Sequence, residues 1–204
     1  TDLERFTHEW LHRSRKQRAE IFDGPLLLCP KGNQTEVLEL GRYSAAVIEQ
    51  NVLFNQSFYG ISFAGKELIA ARVLSAVLNS SLTSFQLAFG GGGWGVERPT
   101  VEPNDLLALR FPDLGKVDGG LLESVLSAEA AVAGAPDDAE LIATLDHAVC
   151  ELYGLERDEE TLARDGIERA RALLFEGRSQ RMMLVARPSS DELAAYASEV
   201  VRTV

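Results

Sequence analysis

Cysteine, histidine and methionine are scarce in this chain, no two prolines are adjacent, and no apolar run is long enough for a membrane span. The two cysteines, Cys29 in a strand-like run and Cys150 in a helix-like one, have neither metal-ligand spacing nor the density of a disulfide scaffold. Both read as reduced and structural. With only His8, His12 and His147 available, no Ser-His-Asp or Cys-His relay is readable. A helical span needs roughly 20 apolar residues, and the polar start TDLERFTHEW does not read as a signal peptide. A cytoplasmic setting with no membrane partner is therefore expected. The chain opens on Thr1 rather than Met, which reads as a cut from a longer protein.

Basic residues are also in deficit, with 20 Lys and Arg against 31 Asp and Glu for a net charge of −11. The excess is not spread evenly. Residues 1 to 100 hold 10 basic and 10 acidic side chains, while residues 101 to 204 hold 10 and 21. Within the neutral half, Arg13, Arg15, Lys16 and Arg18 fall in a stretch from Leu11 to Ala19 that has no acid, a local patch of the kind that contacts phosphates.

What is present is ordinary globular patterning, 46% apolar, enough for a buried core. Short strand-like runs at Leu26 to Cys29, Glu36 to Leu40, Ser44 to Ile48, Val52 to Phe54 and Phe58 to Phe63 predict a small twisted sheet. From Lys66 to about Phe85 apolar residues fall almost all round a helix, which predicts one long, mostly buried helix. The glycines after Phe89 end it, each costing about 1 kcal/mol relative to Ala in a helix. Residues 120 to 132, 138 to 153 and 158 to 176 read as three further helices, with Gly154 placed to stop the second. The expectation is an α+β fold: a small mixed β-sheet with a long buried helix over residues 1 to 115, followed by an acidic α-helical region over 116 to 204.

Two strings resemble catalytic motifs. His8-Glu9-Trp10-Leu11-His12 fits the zinc peptidase pattern, but such a site needs a third protein ligand and none follows. The glycines from Gly90 to Gly95 follow a helix, whereas phosphate-cradling turns follow a strand and open a helix. Neither metal nor nucleotide is expected. Asp146 and His147 lie off the apolar face of their helix and read as surface.

Five segments in order carry a resemblance. They are Ile21-Phe22-Asp23-Gly24-Pro25 leading into a strand; Val52-Leu53-Phe54 with Ser57-Phe58-Tyr59-Gly60-Ile61; Val77-Leu78-Asn79-Ser80; Trp94-Gly95-Val96-Glu97-Arg98-Pro99 with Leu106 to Pro112; and Leu145-Asp146-His147-Ala148-Val149-Cys150-Glu151-Leu152-Tyr153-Gly154-Leu155. Over residues 21 to 155 the chain resembles the C-terminal target-recognition region of adenine-specific DNA methyltransferases of restriction-modification type. That resemblance implies a module that reads double-stranded DNA beside a catalytic domain of the same protein, where the flipped adenine and S-adenosylmethionine would be held. The Asn or Asp-Pro-Pro-aromatic tetrapeptide of such a domain is absent here, so no catalytic residue and no cofactor are expected in this chain. Arg13, Arg15, Lys16, Arg18 and Lys31 are the expected phosphate contacts; Asn55, Gln56, Tyr59, Trp94 and Arg98 are expected nearer the bases. The rival expectation is a protein-docking module with no direct DNA contact.

Overall fold

The computed structural model describes residues 22–31, 42–63, 68–90 and 101–175. It has an α+β fold, with a three-stranded antiparallel sheet of β1 (Leu26–Pro30), β2 (Ala46–Ile48) and β3 (Phe58–Ser62) in the order β2-β1-β3. Among the described residues the α-helices are α1 (Leu68–Leu78), α2 (Ser81–Gly90), α3 (Pro103–Ala108), α4 (Gly119–Gly134), α5 (Ala139–Leu152) and α6 (Arg157–Phe175). The predicted run Glu36 to Leu40 lies outside the described residues. Among the described residues, no single helix is long and apolar enough to cross a membrane.

The central strand β1 pairs Leu27 with Val47 on one side and with Ile61 on the other. Leu26, Leu27 and Cys29 are fully buried, as expected of a strand flanked on both edges and covered by helices. The run Val52 to Phe54 is not a strand. Val52 N donates to the Phe22 carbonyl at 3.2 Å, and Phe54 lays its ring on Gly60 of β3, where it leaves no room for a Cβ. Phe22 covers the same ring at a centroid distance of 5.0 Å. Phe54, which the strand reading assigned to pairing, is instead spent on packing, while Leu53 is exposed.

The long helix expected from Lys66 to Phe85 is two helices, α1 and α2, bent by 63° at Asn79 and Ser80. Ser80 Oγ donates to the Val77 carbonyl at 2.7 Å and accepts from Thr83 N, taking the place of an N-cap for α2. Asn79 is held from outside: its Oδ1 accepts from Ala45 N at 3.0 Å and its Nδ2 donates to Ala45 O at 2.7 Å. One amide thus pairs with both backbone groups of a residue leading into β2, much as a neighbouring strand would.

The all-round apolar pattern of α1 has a direct cause. Val73, Ala76 and Val77 enter a helical core with Leu82, Val125, Leu145 and Val149, while Ala71 and Leu78 enter a second core with Leu27, Cys29, Tyr43 and Leu87. Each large apolar side chain so buried contributes roughly 1.5–3 kcal/mol. Arg72 fastens α1 to α4, with Nε and Nη2 both donating to Glu129 Oε2 and Nη2 also to the Leu126 carbonyl.

The last three helices follow the sequence closely. Asp118 caps α4 and Asp138 caps α5, each carboxylate accepting from two backbone N–H groups. Gly154 ends α5 with φ +68°, a left-handed conformation that costs glycine little.

Candidate functional site

The turn joining Phe54 to β3 brings four of the expected site residues to one end of the sheet. Asn55 builds the turn, its Oδ1 accepting from Ser57 N at 2.9 Å and its carbonyl from Phe58 N at 3.2 Å. This is a side-chain-stabilised turn of the type Asn favours. Gln56 sits at its exposed tip, and its amide makes no hydrogen bond among the described residues. Lys31 follows β1 directly, held there by its N–H to the Ser57 carbonyl at 2.9 Å and by its carbonyl accepting from Val101 N. Because Cys29 pairs with Tyr59 in the antiparallel register, Lys31 comes beside Tyr59, with Nζ 4.9 Å from the ring centroid. A cation over a phenol ring at an exposed site contributes about 0.5–1 kcal/mol and fixes the orientation of both groups.

Two carboxylates the sequence reading did not single out stand close by. The α3 helix begins Glu102-Pro103, with Asp105 Oδ2 accepting from Glu102 N at 2.8 Å. Pro at the first helical position and an acid three residues after the cap were the available signals for this helix. Desolvation, then the charges of Glu102 and Asp105, push the Tyr59 hydroxyl above its ordinary value. At neutral pH it is therefore an uncharged phenol, able both to donate and to accept. Around Tyr59 the described residues thus place one cation, two carboxylates, two amides and a neutral hydroxyl.

The remaining expected residues, Arg13, Arg15, Lys16, Arg18, Trp94 and Arg98, lie outside the described residues, as do His8 and His12. Cys29 and Cys150 are both free and buried, and burial pushes each thiol up to about 12. At neutral pH they are unreactive thiols.

Asp146 is a correction. It is 9% exposed rather than on the surface, and its Oδ1 accepts from Ser81 N, at the start of α2, at 2.7 Å. Its partner lies 65 residues away, beyond the reach of a helical-wheel reading. His147 is exposed, as expected, with Nδ1 2.9 Å from Glu160 Oε2 of α6 and Nε2 3.6 Å from Glu151 Oε1. No known protein-family profile, curated protein or solved structure matches the chain.

Proposed function

We propose that the chain is a DNA target-recognition module of a larger S-adenosylmethionine-dependent, adenine-specific DNA methyltransferase of a restriction-modification system. The observation that carries this reading is the convergence of Lys31, Asn55, Gln56 and Tyr59 at one end of the sheet. These are side chains of the types that read base edges and anchor phosphates, and they come from the residue after β1, from β3 and from the turn before it. Gln56, exposed and unengaged, suits bidentate pairing with adenine N6 and N7 in the major groove. Lys31 is the phosphate contact of the group. The order of the five segments that resemble the methyltransferase recognition region supports the same reading.

Charge divides the labour within this proposal. With Glu102 and Asp105 beside Tyr59, the sheet end does not attract a polyanion by itself. Affinity falls to the basic stretch Arg13 to Arg18 and to Arg98, and the sheet end contributes discrimination. A selection from a pool of randomised duplexes at low salt, where phosphate contacts are strongest, tests this. Enrichment of a short common sequence is expected. Recovery of duplexes with no common sequence would leave the module without a reading role.

A second reading, a docking module that touches protein and not DNA, is favoured by Leu107 of α3 and nearby Phe111, 82% and 43% exposed. The two readings separate in the same selection, since docking alone enriches nothing.

A further inference from the structure

The peptide that joins Pro30 to Lys31 at the end of β1 is gripped from both sides. Toward β3, Lys31 N donates to the Ser57 carbonyl at 2.9 Å. The Pro30 carbonyl, on the opposite edge of the same peptide, points toward β2, and the register that pairs Leu28 with Ala46 would next bring Ser44 N against it. β2 begins only at Ala46, so the ladder supplies no donor there. A side chain takes its place: the Tyr43 hydroxyl donates to the Pro30 carbonyl at 2.5 Å.

Tyr43 is built into the core that backs the sheet. It is fully buried, it packs in the cluster of Leu27, Cys29 and Leu87, and its own N–H donates to Ser84 Oγ of α2 at 2.9 Å. Burial, then the neighbouring Cys29, pushes its hydroxyl well above the ordinary phenol range, so at neutral pH it is a protonated donor. A buried backbone carbonyl left without a donor is unfavourable, and the plane of the Pro30–Lys31 peptide therefore follows the Tyr43 hydroxyl. The carbonyl of Lys31 is held in turn by Val101 N at 2.6 Å. Of these anchors only Tyr43 is a side chain, removable without altering the backbone.

We propose that Tyr43 is a positioning residue of the sheet-end site: through the Pro30 carbonyl it holds Lys31 so that the ammonium lies over the Tyr59 ring, 4.9 Å from its centroid, in the place from which it meets a phosphate. The phosphate half of this rests on the DNA reading. The hold on Lys31 does not.

The test is Tyr43→Phe in the whole chain, read by NMR and by duplex titration. In the wild type the ring current of Tyr59 displaces the Lys31 Hε signals upfield of free lysine, and Tyr59→Leu abolishes the displacement. Tyr43→Phe is expected to lose most of it in a chain that stays folded. Val125→Ala, which lowers the thermal midpoint from within the helical core, leaves it intact. One readout needs no variant: the wild-type Tyr43 hydroxyl proton is expected as a separate, slowly exchanging signal, because it is buried and donates to a carbonyl. In a salt series Tyr43→Phe flattens the slope of log K against log salt toward that of Lys31→Gln, a change of up to about 1. Unmoved Lys31 signals in a folded Tyr43→Phe chain, a Tyr43 hydroxyl in fast exchange with water, or moved Lys31 signals with a wild-type slope would each overturn the proposal. A wild-type chain that binds no duplex sinks the DNA reading instead, and the Lys31 signals still decide whether Tyr43 holds that side chain.

Discussion

Replacing Asn79 by Ala removes a side chain that joins the bend between α1 and α2 to the chain entering β2. Four hydrogen bonds go with it: two to the backbone of Ala45 at 3.0 and 2.7 Å, one to the Ser75 carbonyl at 2.9 Å, and a longer one to Ser75 Oγ at 3.3 Å. A neutral hydrogen bond contributes a net of about 0.5–1.5 kcal/mol, so the three short ones sum to roughly 2–4 kcal/mol. Asn79 is half-buried, and water reaching Ala45 trims the loss to about 2–3 kcal/mol. In a chain of this length that lowers Tm by about 5–10 °C. Asn79→Asp sharpens the test. Its carboxylate still accepts from Ala45 N, but its second oxygen faces the Ala45 and Ser75 carbonyls, which raises the folded-state pKa of the new group above its unfolded value. The folded state then holds the proton more tightly, so Asn79→Asp gains stability as pH falls through that raised value, opposite to the usual salt-bridged carboxylate. Urea unfolding followed by circular dichroism at several pH values reads both effects. A cost below about 0.5 kcal/mol for Asn79→Ala would refute the clamp, because a surface substitution costs no more.

Three further outcomes are expected. Gly60→Ala places a Cβ against the Phe54 ring and destabilises by about 1–3 kcal/mol, and adding Phe54→Leu recovers part of the loss in the same urea assay. Asp146→Ala leaves Ser81 N without its acceptor and costs about 1–2 kcal/mol, read as a lower thermal midpoint, whereas Asp146→Asn keeps the acceptor and costs less. The hydrogen bond and charge of Glu160, with Glu151 beside it, raise the His147 pKa above 6.5; its stabilising effect is fully present below 6.5 and fades as pH rises through the raised value. His147→Ala is therefore expected to be more destabilising at pH 5.5 than at pH 8, by a small and salt-sensitive amount because the imidazole is mostly exposed.

Local rules carried the helical region well. Gly154 as a stop is written within one turn of the helix it controls, and so are the caps Asp118 and Asp138, which the sequence reading did not single out. The misreadings have distant causes. The bend at Asn79 depends on Ala45, the burial of Asp146 on Ser81, and the loss of strand pairing at Val52 to Phe54 on the open face of Gly60. The clustering of Lys31 with Tyr59 was legible only as separate residues, because the β1–β3 register that joins them is a tertiary property. The burial of Arg42 gave no signal at all, since a lone arginine after a glycine says nothing about a Pro136 carbonyl 94 residues away.

The most direct test of the DNA-reading claim is an anisotropy titration of duplex DNA across a salt series, comparing the wild-type chain with Lys31→Gln and Gln56→Ala. The account predicts that log K falls linearly with log salt and that Lys31→Gln flattens the slope by about 1. It also predicts that Gln56→Ala leaves the slope alone while narrowing the gap between cognate and altered duplexes by about 1–3 kcal/mol. Salt-insensitive or absent binding at low salt, or two variants indistinguishable from wild type, would contradict it.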